Sequence, residues 1–296
     1  GKVTIDSGEG TTTSSGAIEI RSANAGGAGM TGSLVFSSGT SSNGSSGSLR
    51  IGSGAATGGY GGSVKVTVGS GDSAAGGYLS VAAGRTDGGS GSTGGKVTIE
   101  SGEGTTTSSG AIEIRSANAG AAGMSGLLVF SSGTSSNGST GSLRIGSGAA
   151  TAGRGGSVSV TVGSGDSAAG GYLSVAAGRS DAATGGKVTV ESGESTATSS
   201  GAIEIRSANS GTAGVSGLLV FSSGTANGGN SGSLRIGSGA ASGGRGGLVS
   251  VTVGSGDSAA GGYLRVAAGR SDTASGSTGG KVTIDSGEGT TTSSGA

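Results

Sequence analysis

Residues 2–9 read Lys2-Val3-Thr4-Ile5-Asp6-Ser7-Gly8-Glu9, and the phrase returns at Lys96, Lys187 and Lys281 as K-V-T-I/V-D/E-S-G-E. The four copies begin 94, 91 and 94 residues apart, so one long sentence is written three times and started a fourth. Within that phrase Val3 and Ile5 alternate with polar residues, and a Ser-Gly pair follows. A period of two predicts an extended stretch with one apolar face.

Working outward, the whole first repeat divides into six lines with the same opening. They start at Lys2, Ala17, Ser33, Ser48, Ser63 and Tyr78, and are 15, 16, 15, 15, 15 and 18 residues long. The apolar pairs are Val3/Ile5, Ile18/Ile20, Leu34/Phe36, Leu49/Ile51, Val64/Val66 and Leu79/Val81, with Val68 extending the fifth. Each line closes on a glycine, at Gly16, Gly32, Gly47, Gly62, Gly77 and Gly95, where the chain is expected to turn. Between the apolar run and that glycine lie small residues such as Thr11, Thr12 and Thr13 or Ala74 and Ala75. Met30, Met124 and Val215, all at one register, are among the exceptions.

Two arrangements fit this spacing: a hairpin meander, or a parallel β-solenoid in which each line is one coil. A meander needs loops of about eight or nine residues, longer than the two to five that hairpins prefer. The solenoid uses those residues as a return wall and explains why every line opens in one phase. The sequence therefore predicts an all-β parallel solenoid of about 15-residue coils, six per 94-residue repeat. Its segments are residues 1–95, 96–186, 187–280 and the start of a further repeat at 281–296, in one continuous solenoid. Ile99, Ile114 and Phe130 would share a buried column, and Asp6 would face Arg21 across coils, as Glu100 would face Arg115 and Glu191 Arg206.

Composition narrows the alternatives. Glycine supplies 74 of 296 residues and aromatics 2%, too few large side chains for two compact cores. A glycine-rich coil would not need the strict grid of Val, Ile and Leu. Collagen is excluded because proline is absent and glycine keeps no period of three. Lys plus Arg equals Asp plus Glu, 17 each, so no net field steers the chain toward nucleic acid or an anionic membrane. No stretch approaches the roughly 18 apolar residues of a membrane span. Gly1 to Ala17 recur identically as Gly280 to Ala296, as expected of a window cut from a longer array. The chain contains no Cys or His, which removes thiolate and imidazole chemistry.

The remaining motifs are few. V-G-S-G-D-S at residues 68–73, 162–167 and 253–258 resembles a calcium-binding glycine–aspartate turn. It supplies only one carboxylate per repeat, Asp72, Asp166 or Asp257, so it reads as a corner capped by aspartate. Asp6, Glu9 and Glu19 form an acidic group that returns in every repeat beside arginine, the pattern of a solvated face and not of a single catalytic site. Threonine does not repeat from line to line, since the third column runs Thr4, Glu19, Val35, Arg50, Lys65 and Ser80. N-G-S at Asn43 and at Asn137 matches the acceptor pattern for N-glycosylation, whereas Asn227 is followed by Gly-Gly.

The phrases R-S-A-N-A-G at residues 21–26, V-F-S-S-G-T-S-S at 35–42, I-G-S-G-A-A-T at 51–57 and V-T-V-G-S-G-D-S-A-A-G-G at 66–77 resemble the long Gly/Ser/Ala-rich repeat proteins of diatoms, oomycetes and other stramenopiles. The resemblance covers the whole chain. It implies large surface or matrix proteins, components of extracellular fibres or flagellar hairs, and lends no catalytic residues. Together these readings give the expectation of a structural segment of an extracellular fibre, flagellar hair, sheath or adhesive, without enzymatic activity, cofactor or metal. The expected partners are further copies, joined end to end or laterally, and a polysaccharide matrix, with no nucleic acid and no membrane span. A module that binds ice, mineral or glycan through one face is the alternative.

Overall fold

The computed structural model describes residues 1–88, 91–272, 277–289 and 295. The chain divides into two units, Gly1–Gly153 and Arg154–Ala296. In each, the local structure is dictated by the closing glycine of a line.

In the first unit the Gly16 N–H donates to the Gly8 carbonyl at 2.9 Å, and Gly110 does the same to Gly102 at 2.9 Å. Gly77 reaches Gly69 at 3.1 Å and Gly95 reaches Gly84 at 2.8 Å. Lines two to four close without that backbone bond. There the closing glycine lies against a serine at the end of the apolar run, and a Cβ on Gly47 would stand 3.5 Å from the Ser38 Cβ. In line four the serine adds a bond of its own, Ser53 Oγ donating to the Gly62 carbonyl at 2.7 Å.

The second unit repeats the scheme. Gly171 closes on Gly163 at 3.1 Å, Gly201 on Gly193 at 2.9 Å, Gly262 on Gly254 at 3.1 Å and Gly295 on Gly287 at 2.9 Å. Ser238 Oγ bonds to the Gly247 carbonyl at 2.9 Å, as Ser53 does to Gly62. The sixth lines explain the unequal repeat lengths. Gly186 bonds to Gly178 across nine residues, while Gly95 to Gly84 and Gly280 to Gly269 span twelve, and all three bonds are 2.8 Å. Three residues are gained or lost inside the loop and the closure is unchanged.

At a few of these corners only glycine fits. A Cβ at Gly165 would come within 2.6 Å of the Ala168 carbonyl oxygen and 2.9 Å of that of Ala169. A Cβ at Gly10 would lie 2.5 Å from the Thr13 oxygen. Gly39 and Gly133 instead occupy the left-handed region, with φ of 77° and 80°.

These closures overturn the solenoid. In a coil of about 15 residues, Gly8 and Gly16 would sit at opposite corners, separated by the width of a wall of about six residues, or roughly 20 Å. They are instead hydrogen-bonded. The chain returns to itself after nine residues within one line, the loop length that had counted against a meander. Nor is the chain all-β: no strand and no helix occurs among the described residues. Ile114, expected in a buried column between Ile99 and Phe130, is 55% exposed.

No described residue is buried. The accessible surface is 28621 Å², whereas a compact monomer of this size exposes about 11,000 Å² and its unfolded chain about 39,000 Å². The physical reason lies in side-chain size. Ordering one residue costs about 1–2 kcal/mol of backbone entropy, and only two to four residues per line carry a large apolar side chain whose burial could offset it. The coil reading relied on backbone ladders between coils to make up the rest, and such ladders are absent among the described residues.

Candidate functional site

The residues with chemical potential lie on the loops, since the apolar runs carry little besides Val, Ile, Leu and scattered charges. In line three the loop is held by serine hydroxyls. The Gly39 N–H donates to Ser37 Oγ at 3.3 Å and the Gly44 N–H to Ser41 Oγ at 3.0 Å. Repeat two has the same two bonds, Gly133 to Ser131 at 3.3 Å and Gly138 to Ser135 at 3.0 Å. Asn43 and Asn137, the two expected glycosylation sites, sit at the exposed bends 42–44 and 136–138 that these bonds anchor. In repeat three Ala226 stands where Ser41 and Ser135 stand, and the bend at 227–229 has neither the serine bond nor a left-handed glycine.

Asp72, Asp166 and Asp257 open the bends 72–74, 166–168 and 257–259. The corner that the sequence indicated is there. It is closed by backbone approach at Gly71, Gly165 and Gly256, and among the described residues no hydrogen bond to the aspartate carboxylate caps it, which corrects that part of the reading. Among the described residues no three acidic side chains come together as metal ligands.

Ion pairs also differ from the stacked expectation. Arg21 pairs with Glu19 at 3.2 Å and Arg115 with Glu113 at 3.9 Å, and among the described residues Asp6, Glu100 and Glu191 form none. Residues two apart lie on the same side of an extended chain, so without stacking the nearest partner is on the same stretch. Three further pairs were not anticipated: Arg85 with Asp87, Arg179 with Asp181, and Arg270 with Asp272. The signal was present, since each repeat spells R-T/S-D at the start of its sixth-line loop. The middle hydroxyl accepts a backbone N–H, Thr86 from Gly88 at 3.3 Å and Ser180 from Ala183 at 2.9 Å. Exposed pairs of this kind contribute about 0–1 kcal/mol. They shape a turn and leave both charges in water.

Two shallow concavities occupy equivalent places in repeats two and three, one lined by Arg115, Ser116, Ala117 and Asn118, the other by Arg206, Ser207, Ala208 and Asn209. Each is the inside of one curved stretch of four consecutive residues, with no second segment converging on it. Such a hollow offers hydrogen bonds and one guanidinium and no enclosed volume. No helix among the described residues is long and apolar enough to cross a membrane. Comparison with protein-family models, with curated proteins and with solved structures finds no match.

Proposed function

We propose that this chain is a structural repeat segment of an extracellular fibre, sheath or adhesive, in which the apolar runs of one copy are covered by those of another. The observation that carries this reading is the uncovered grid. Val66, Val160 and Val251 hold the same place in three repeats and are 69%, 69% and 71% exposed. Every other apolar run is likewise largely in solvent. Apolar side chains left in water in this number drive association.

A second copy is the occupant that suits the grid best. It carries the same spacing of apolar runs and corners, so any register that matches one line matches its neighbours. Equal numbers of positive and negative side chains leave no net repulsion between copies. The resemblance to stramenopile surface and matrix proteins, and the acceptor patterns at Asn43 and Asn137, support the extracellular placement. Catalysis, cofactor and metal have no part in the proposal.

Sedimentation of the purified chain over its accessible concentration range tests it. Association into polymers that grow with concentration, with the apolar runs becoming protected from amide exchange, is the expected result. A chain that stays monomeric at every concentration, or associates without protecting those runs, would overturn it.

A further inference from the structure

We infer that Asn43 and Asn137 are N-glycosylation sites presented by a purpose-built loop, and that repeat three lacks that modification because it lacks both the acceptor pattern and the loop. Of the seven asparagines in the chain, only these two are followed by any residue and then Ser or Thr. Both occupy the same register, and both are exposed at the bend of the line-three loop.

The loop suits the reaction. A glycosyl transferase must take the asparagine side chain and the hydroxyl two residues on into its own site, so both have to project from a surface segment. Gly44 and Gly138, which lie between the two groups, carry no side chain to obstruct approach. Their N–H groups are held by Ser41 and Ser135, and a Cβ on them would lie 3.4 Å and 3.3 Å from those hydroxyl oxygens. Left-handed Gly39 and Gly133 set the entry to the bend. The hydroxyls of Ser45 and Ser139 make no hydrogen bond among the described residues and are available to the enzyme.

In the transfer, Asn43 Nδ2 attacks the anomeric carbon of a lipid-linked sugar diphosphate. The carbon–oxygen bond to the diphosphate breaks, the lipid diphosphate departs with the electron pair, and Nδ2 gives up one proton. The product is a glycosylated amide. The donor comes from the secretory compartment, and the inference rests on the extracellular reading only in requiring passage through it.

The full chain, carrying a secretory leader and translated into microsomes that supply the lipid-linked donor, provides the test. Two glycans are expected, removable by peptide N-glycosidase with conversion of Asn43 and Asn137 to aspartate, read by mass spectrometry. Ser45→Ala should remove one and Ser45→Ala with Ser139→Ala both, while Ser45→Thr retains them. Ser41→Ala removes the serine anchor while leaving the acceptor pattern at Asn43 intact, and a lower occupancy of Asn43 than in the parent chain is expected. An unmodified chain in microsomes that glycosylate a control protein would overturn the site. Unchanged occupancy of Asn43 in the Ser41→Ala chain would overturn the role given to the loop. Neither outcome touches self-association, which the sedimentation test decides separately.

Discussion

The loop at residues 69–77 and the apolar run at residues 64–68 adjoin in the chain and are stabilised in different ways. The loop is complete by itself: Gly77 bonds to Gly69 at 3.1 Å, and Gly71 lies against the backbone oxygens of Ala74 and Ala75. Its closing glycine rests on the Val68 side chain, since a Cβ on Gly77 would lie 2.6 Å from Val68 Cγ1. The run before it has no such partners, and Val66 remains 69% exposed. Val68, where the two regions meet, is only 44% exposed. Structure over nine residues costs little loop entropy and one local bond can hold it. An apolar face is satisfied only by another apolar face, and none lies within the same line.

The largest effect should come from charging the runs. Val66→Asp with Val160→Asp and Val251→Asp places a carboxylate in each association face, at a cost of several kcal/mol per buried ion. The association constant should fall by more than about a hundredfold, as measured by sedimentation, while the Gly77, Gly171 and Gly262 amides keep their protection. Loss of both together would mean that runs and loops are one cooperative structure and would remove the comparison.

Breaking a corner should do the reverse. Gly165→Val drives a side chain into the Ala168 and Ala169 carbonyls, and opening that turn should cost about 1–3 kcal/mol. The Gly171 amide shift in NMR would report it, with association largely retained. Gly163→Ala, which meets open space, serves as the control and should change stability by less than about 0.5 kcal/mol.

A smaller effect is expected where two loops of the same line differ. Ser135→Ala removes the acceptor of the Gly138 N–H and makes repeat two resemble repeat three, where Ala226 holds that place. A solvent-exposed bond of this kind contributes about 0.5 kcal/mol. The Gly133 and Gly138 amide shifts should move toward those of Gly224 and Gly229, and unmoved shifts would mean that the serine does not set the bend.

The smallest effect is expected from loop length. Deleting three residues from the loop 84–95 reproduces the length of the 178–186 loop of the next repeat, and closing nine residues instead of twelve changes the loop entropy by about 0.3 kcal/mol. The Gly95 amide should keep its bond to Gly84. Loss of that bond would show that the intervening residues do more than connect.

The reversals were legible because glycine marks them. Gly16, Gly77 and Gly95 read as corners from the sequence, and each donates its N–H to the carbonyl of Gly8, Gly69 or Gly84. The partners of the corners were not legible. Two glycines that bracket a nine-residue loop are compatible with a hairpin loop or with the two corners of a coil, and typical loop lengths favour the coil. The Asn43 and Asn137 bends were visible as N-G-S, but the hydroxyl anchors at Ser41 and Ser135 were hidden among many equivalent serines. The R-T/S-D pairs are local, between residues two apart on one stretch, and a stacked-column reading does not reach them.

By itself the sequence determined the repeat, the six-line division, the alternation of apolar residues and the positions where the chain turns. These depend on side-chain chemistry within a few residues: an absent Cβ, a nearby hydroxyl, a period of two. Only the tertiary structure decided that the lines do not stack into coils, that Arg21 pairs with Glu19 and not Asp6, and that Ile114 stays in solvent. Those outcomes depend on whether distant segments bury enough apolar surface to offset the entropy of ordering them, and two to four large side chains per line do not.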